Sequence, residues 1–464
     1  MCTGTLFRVS WPNVRFIDVV LPSMKQHAIL NQFGKGLHLL VSSTISWLSV
    51  DAAQLEAKER ETRTNIILIM ADDIGYECYG VYGGTSYETP RIDRMAAKGT
   101  RFMHCYSQPI CTPSRVKIMT GLSNVRNYAG FSILKKNQQT FGHILKDAGY
   151  RTAVAGKWQL YGAEHYPTKY RAKGALPREV GFERHCLWQI DKLGSRFWGP
   201  SITIDGKLKV FDKETYGPDV YCQYILDRMV EYKEEPFFLY YPMALVHSPF
   251  VPTPDSADRN SRNKQKNFGD MVTYMDKLIG RIVDKTVELG IAGKTLILVT
   301  GDNGTHSTIK SMMGDIEMRG GKGKPTDAGT RVALVGYQPV AVPAGRVSDH
   351  LVGFSDFTPT FSELAGSKLP GHTDGTSFLD ELRGAPMKRR DPVFIYYWPR
   401  PEKGKPLRFA RDQRWKLYGD GRLIDVRNDV MEKSPVSGQT RVRERLQKVI
   451  GRMPGKGQTL LRFD

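Results

Sequence analysis

The 464 residues are 40% hydrophobic and 25% charged, ordinary values for a globular chain that can bury a sizeable core, and long enough for two or three domains or one large domain with a small one. The formal net charge is +19, of which about +11 lies between Gly384 and Asp464; this reads as a solvated basic region or as a field that draws in anionic substrates. Zinc-finger spacing, RRM-like aromatics and a basic helix running into heptads are all missing, which argues against nucleic acid as a partner, and six cysteines (Cys2, Cys78, Cys105, Cys111, Cys186, Cys222) without a CxxC pair argue against a disulfide scaffold or structural zinc.

Taken in chain order, the first element is a targeting segment. From Met24 come Lys25, a polar stretch to Lys35, the apolar run from Leu37 to Val50, and small residues at Val50-Asp51-Ala52. This is the anatomy of a secretory signal over residues 24–52, with residues 1–23 upstream of the true start and a mature chain beginning near Ala53. It predicts a secreted or periplasmic protein. The run is too short to span a bilayer, and no other segment could.

Asn65–Met70 is a short apolar run rich in β-branched residues, ending in Asp72, Asp73 and Gly75. That is how a strand buried on both faces reads. Arg151–Ala155 before Gly156-Lys157-Trp158, Pro236–Leu245 before His247, and Lys294–Thr300 before Asp302-Asn303 repeat the pattern. Helical signals lie between them at Thr89–Gly99, Phe141–Ala148 and Phe268–Leu289. The alternation predicts an α/β fold with a large, mostly parallel sheet sandwiched by helices, whose polar strand ends gather on one edge. After Arg390 short strand-like pieces divided by Gly, Pro and Asp predict a small antiparallel sheet, with a helix near Thr440–Arg452. The domain boundaries drawn this way are 61–385 and 390–464.

Asp72, Asp73, Asp302 and Asn303 are oxygen donors at the ends of two predicted strands, a set that suits a hard cation such as Ca²⁺. Cys111-Thr112-Pro113-Ser114-Arg115 puts a thiol between a loop and a helical stretch, with Arg115 one turn away. Lys157, Lys322, Lys324 and His247 add basic donors. A metal among several cations is built for a sulfate or phosphate.

The segments ADDIGYECYG, TPRIDRMAAKGTRF, CTPSR followed by MTG, GKW, HSP, TGDNG and GGKGKPTDAGTRV stand in the order found in the formylglycine-dependent sulfatases. The resemblance runs from about Asn65 to Gly366, and RWKLY…RLIDVRND from Arg414 resembles that family's C-terminal sheet. It implies an alkaline phosphatase-like fold, a sulfated substrate such as a glycan, and a separate maturation enzyme that oxidises Cys111 to formylglycine. Asp72, Asp73, Asp302 and Asn303 match the calcium ligands, with the modified Cys111 also on the metal. Arg115 matches the residue holding the formylglycine hydrate. Lys157 and Lys322 match the lysines that grip sulfate oxygens, and His247 the histidine near the leaving oxygen, where in protonated form it would donate.

Two positions depart from that pattern. Many relatives have histidine after GKW, where this chain has Gln159, which cannot take a proton. His306 is a candidate substitute. Asp327-Ala328-Gly329 replaces a glutamate and two glycines, and reads as a tolerated variation in a structural turn. The resemblance leaves two rival readings. A phosphatase of the same superfamily is disfavoured by only 10 histidines and no paired histidines near Asn303. A non-catalytic glycan-binding protein is disfavoured by the intact CTPSR and metal-ligand positions. Residues choosing the alcohol side are sought between Tyr161 and Lys209, among them Tyr166, Trp188, Arg196 and Trp198.

Overall fold

The computed structural model describes residues 63–369, 371–387, 390–400 and 404–455. The signal segment 24–52, the start near Ala53 and Cys2 lie outside the described residues.

The strands are β1 Asn65–Ala71, β2 Thr100–Tyr106, β3 Arg151–Lys157, β4 Arg184–Trp188, β5 Ser201–Ile204, β6 Lys207–Val210, β7 Phe237–Pro242, β8 Thr295–Gly301, β9 Lys310–Met313, β10 Ile316–Arg319, β11 Arg331–Val332, β12 Leu334–Tyr337, β13 Arg346–Gly353, β14 Val393–Tyr397, β15 Leu407–Arg411, β16 Trp415–Tyr418 and β17 Leu423–Asp425. One sheet has the order β11-β2-β12-β8-β1-β7-β3-β4-β5-β6, with β13 also on β2. Its centre, β8-β1-β7-β3-β4, is parallel. β12 pairs antiparallel with β8 and β2, and β5 with β4 and β6, so the sheet is mixed at both sides.

The sequence dictates this sandwich directly. Alternate residues of a strand face opposite sides, and β1 is buried throughout. Ile67, Ile69 and Ala71 join one core with Ile225, Met229, Met271 and Leu278 from helices Gly217–Tyr232 and Lys264–Glu288. Ile66, Leu68 and Met70 join the other, with Val116, Phe141, Leu145 and Phe361 from helices Cys111–Thr120, Phe141–Asp147 and Phe357–Leu364. A strand with no polar face must be covered twice.

The small sheet runs β14-β15-β16-β17, antiparallel throughout, with helix Thr440–Arg452 on one face. Its other face packs Ile395, Phe409 and Tyr418 against Tyr106 and Leu351 of the large sheet. Asp327 corrects the reading of a tolerated turn residue. It is buried and ion-paired with Arg411 of β15, and its backbone N–H donates to Glu432 Oε1 at 2.7 Å. The Arg411 guanidinium also lies 3.8 Å from the centre of the Tyr106 ring. The turn is therefore one half of the ionic clasp between the two sheets. Cys78, Cys105, Cys111, Cys186 and Cys222 are all free thiols.

Candidate active site

The parallel strands deliver the predicted residues to one edge. Asp72 and Asp73 follow β1, Lys157 ends β3, His247 lies in the loop after β7, and Asp302 and Asn303 follow β8. Backbone bonds tie these ends together: Asp302 N–H donates to Ala71 O at 2.8 Å, Asp72 N–H to Leu245 O at 2.7 Å, and Val246 N–H to Asp72 O at 2.8 Å.

Cys111 is the first residue of helix Cys111–Thr120, every residue of which is buried. Ser114 Oγ accepts from Gln108 N–H at 3.0 Å and fixes the entry turn. Gly121, at φ 70°, closes the helix by donating to Lys117 O at 3.0 Å. Cys111 thus stands, as expected, where a loop meets a helix, as a buried thiol at the helix's positive end. Burial raises its pKa, with Lys157 and Lys322 pulling the other way.

Lys157 Nζ lies 3.0 and 2.8 Å from the two Asp72 oxygens. Burial would raise the Asp72 pKa, but Lys157, His247, Arg115 and Lys322 together hold it well below the usual carboxylate range. Lys322 Nζ donates to Asp73 Oδ2 at 2.5 Å and to His247 Nε2 at 3.0 Å. His247 Nδ1 is 2.6 Å from Ser248 O. A carbonyl only accepts, so Nδ1 carries the hydrogen and Nε2 is a lone pair facing Lys322. Burial pushes the His247 pKa down to about 4 despite Asp73 and Asp72. In this arrangement Lys322 is the cation of the pair and His247 its acceptor.

Arg115 reaches from the Cys111 turn to two strand ends. Its Nη1 donates to Lys157 O and its Nη2 to Asp302 Oδ2, both at 3.0 Å, and Nη2 is 3.8 Å from Asp72 Oδ1. The fork therefore clamps a strand end to the carboxylate cluster. Asp302 Oδ1 accepts the Asp73 N–H at 3.0 Å. Burial and the Asp72 charge push the Asp302 pKa up to about 7, Arg115 opposing.

This donor set fits a hard divalent cation. Three carboxylates and an amide are wholly buried together. Asn303 Nδ2 donates to Asp73 Oδ1 at 2.9 Å and to Gly304 O at 3.0 Å, while Asn303 Oδ1 is buried with no hydrogen-bond partner. Such an acceptor is uncommon in a native interior and is the kind of oxygen Ca²⁺ takes. Ligand atoms of Asp72, Asp73 and His247 lie within 4.8 Å of one another, so a histidine nitrogen joins the oxygen cluster anticipated from sequence.

Gln159 stands beside Tyr166, whose ring packs 4.1 Å from that of His165. Gln159 Nε2 and Gln189 Nε2 both lie 3.1 Å from the Tyr166 hydroxyl. Both glutamine side-chain oxygens are buried without partners, and both backbones are left-handed, at φ 57° and 60°. His306 pairs with Thr308 at 2.9 Å and packs edge-on to Phe250. Arg196 enters the site: its guanidinium stacks 3.9 Å over Trp188, and Nη1 is 3.8 Å from Asp72 Oδ2. Trp198 does not; its Nε1 donates to Pro252 O at 2.8 Å and its ring packs on Tyr216. Lys324 is exposed. Gln189 was missed by sequence reasoning. Its signal was its place directly after β4, a strand too short and mixed to be recognised.

Residues 64–367 match the sulfatase family, and residues 326–455 match the C-terminal region of N-sulphoglucosamine sulphohydrolase. The chain is 29% identical over 395 residues to N-acetylgalactosamine-6-sulfatase of Canis lupus familiaris, covering 77% of this chain and 73% of that one. It is 31% identical over 371 residues to arylsulfatase A of Homo sapiens, covering 72% and 70%. Its fold matches BT4656, solved in complex with its substrate D-glucosamine-2-N,6-O-disulfate, with TM-score 0.67, 21% identity and coverage of 84% and 97%. The chain belongs to the sulfatase family and is a sulfuric ester hydrolase.

Proposed function

We propose that this sulfatase removes sulfate from sulfated glycans outside the cytoplasm, using a formylglycine made from Cys111 by a separate maturation enzyme and a Ca²⁺ ion held by Asp72, Asp73, Asp302 and Asn303. The reading rests above all on the gathering, at one sheet edge, of a helix-terminal Cys111, three buried carboxylates and the basic groups Arg115, Lys157 and Lys322. Two relatives support the glycan substrate: one is named for N-acetylgalactosamine 6-sulfate, and the other was solved with a sulfated glucosamine. Residues 24–52 support export. No helix among the described residues is long and apolar enough to cross a membrane.

Metal and hydrated aldehyde would together supply a nucleophile near neutral pH. The chain's own residues do the rest. Lys157 and Lys322 stabilise charge on the sulfuryl oxygens inside a water-poor pocket. The Lys322–His247 pair holds a proton beside the departing alcohol oxygen, with His247 Nε2 able to relay it. Arg115 positions Asp302 and the end of β3. Buried Gln159 and Gln189 and half-buried Tyr166 offer hydrogen-bonding groups near Cys111.

The test is hydrolysis of 4-nitrophenyl sulfate against 4-nitrophenyl phosphate, followed by a panel of sulfated sugars. Sulfate release from the first and from at least one sugar is expected. Preference for the phosphate, or no sugar turned over, would overturn the reading.

A further inference from the structure

Beside Cys111 a cleft of 530 Å³ is lined by Phe131, Tyr397, Trp398, Arg400, Lys405 and Leu407, with Ile110 and Pro325 at its inner wall. That volume is in the range of small-molecule sites. It opens off the reaction centre: Ile110 immediately precedes Cys111, and the Tyr397 hydroxyl is 3.9 Å from where a side chain on Gly323, next to Lys322, would begin. Tyr397 is near enough to Cys111 and Lys322 to feel their charge. The walls are rigid because each aromatic is anchored behind. Trp398 packs on the core under helix Thr440–Arg452, Tyr397 on the core between the sheets, and Phe131 on Tyr166.

The chemistry of the cleft is divided. Its walls are aromatic and apolar, and its mouth carries the exposed cations Arg400 and Lys405, neither of which is held by an acid among the described residues. Apolar walls with a few charged groups suit a ring that presents C–H surface and carries an anion.

We propose that this cleft is a second sugar subsite, which seats the anionic sugar residue linked to the one whose sulfate is cleaved. The inference rests on the reading of the chain as a glycan sulfatase, and it makes the natural substrate an oligosaccharide or polysaccharide carrying charge on adjacent rings. Phe131, Tyr397 and Trp398 take the ring, and Arg400 and Lys405 its sulfate or carboxylate.

The experiment measures binding to full-length Cys111→Ala protein by calorimetry. The probes are two pairs: N-acetylgalactosamine 6-sulfate with a chondroitin 6-sulfate tetrasaccharide, and glucosamine 2-N,6-O-disulfate with a heparin tetrasaccharide. In at least one pair the tetrasaccharide should bind about 10-fold tighter or more, with the advantage shrinking as salt rises. Adding Arg400→Gln and Lys405→Gln should erase that advantage and leave monosaccharide affinity unchanged. Equal affinity within both pairs, or an advantage that survives the double substitution, would overturn the subsite. Wild-type turnover of 4-nitrophenyl sulfate is read separately, so a failure of hydrolysis is distinguishable from a failure of the cleft.

Discussion

Arg115 Nη2 donates to Asp302 Oδ2 at 3.0 Å, and the two side chains are essentially inaccessible to solvent. The same guanidinium holds Lys157 O through Nη1, so one planar fork sets the spacing between the ends of β3 and β8.

A lysine cannot span both partners at once. Arg115→Lys should therefore keep the charge and still lose about 10–100-fold in kcat/KM, the usual effect of removing a group that orients metal ligands. Steady-state kinetics on 4-nitrophenyl sulfate checks this. An unimpaired variant would mean that charge alone matters at this position.

The orphaned Asn303 Oδ1 and the three buried carboxylates predict that the protein binds Ca²⁺ and is stabilised by it. At about 100-fold excess over Kd the gain is about 2.7 kcal/mol. Chelated protein should melt lower and lose activity, and Ca²⁺ should restore both. Asp302→Ala should abolish the Ca²⁺-dependent shift in Tm. A melting curve indifferent to chelation and to Ca²⁺ would contradict the assignment.

Gln159 has its Nε2 on Tyr166 and cannot accept a proton. If regeneration of the active site is the slow stage, alcohol should appear in a burst ahead of sulfate. Losing a positioned base costs about 10²–10⁴-fold on the step it serves. Gln159→His, at a left-handed position that histidine tolerates, should raise turnover and remove the burst. His306→Ala should depress turnover only if His306 stands in. No burst in the wild type, with Gln159→His neutral, would show that the proton is taken elsewhere.

Asp327→Ala should destabilise the protein by about 3–5 kcal/mol at neutral pH, because it strands Arg411 as a buried unpaired charge. Burial acts to raise the Asp327 pKa, but Arg411, Lys416 and Arg331 outweigh it and hold the group below its ordinary value. A depressed folded pKa means stability that is present above the unfolded value and lost as pH falls through the folded one. The gap between wild type and variant should narrow below about pH 4. Thermal unfolding across pH 3 to 7 reads it, and a gap independent of pH would contradict the ionic role.

Sequence alone revealed β1, β3, β7 and β8 and the residues after them, because a strand buried on both faces is a continuous apolar run with a polar end. Asn65–Ala71 and Thr295–Gly301 lie within a residue of the expected bounds, and helix Thr440–Arg452 was found where expected. β2 and β13 were not legible: His104 and Arg101 interrupt one, and Asp349 and His350 the other. The helix opened by Cys111 was expected as a helical stretch, although it shows no amphipathic stripe because all its residues are buried. What the side chains do to one another was hidden as well. Arg115, His247 and Asp327 each contact a group far away in sequence that no local pattern announces: Asp302, Lys322 and Arg411.

The most direct test of the proposed mechanism is the mass of the peptide that contains Cys111, taken from catalytically active protein co-produced with a maturation enzyme. Exchange of the thiol for an aldehyde removes H₂S and adds one oxygen, so the peptide should be lighter than its cysteine form and should react with hydroxylamine. Cys111→Ala should remove both that signal and sulfate release from 4-nitrophenyl sulfate while leaving the fold intact. Full activity from protein whose Cys111 is an unmodified thiol, or from Cys111→Ala itself, would contradict the account.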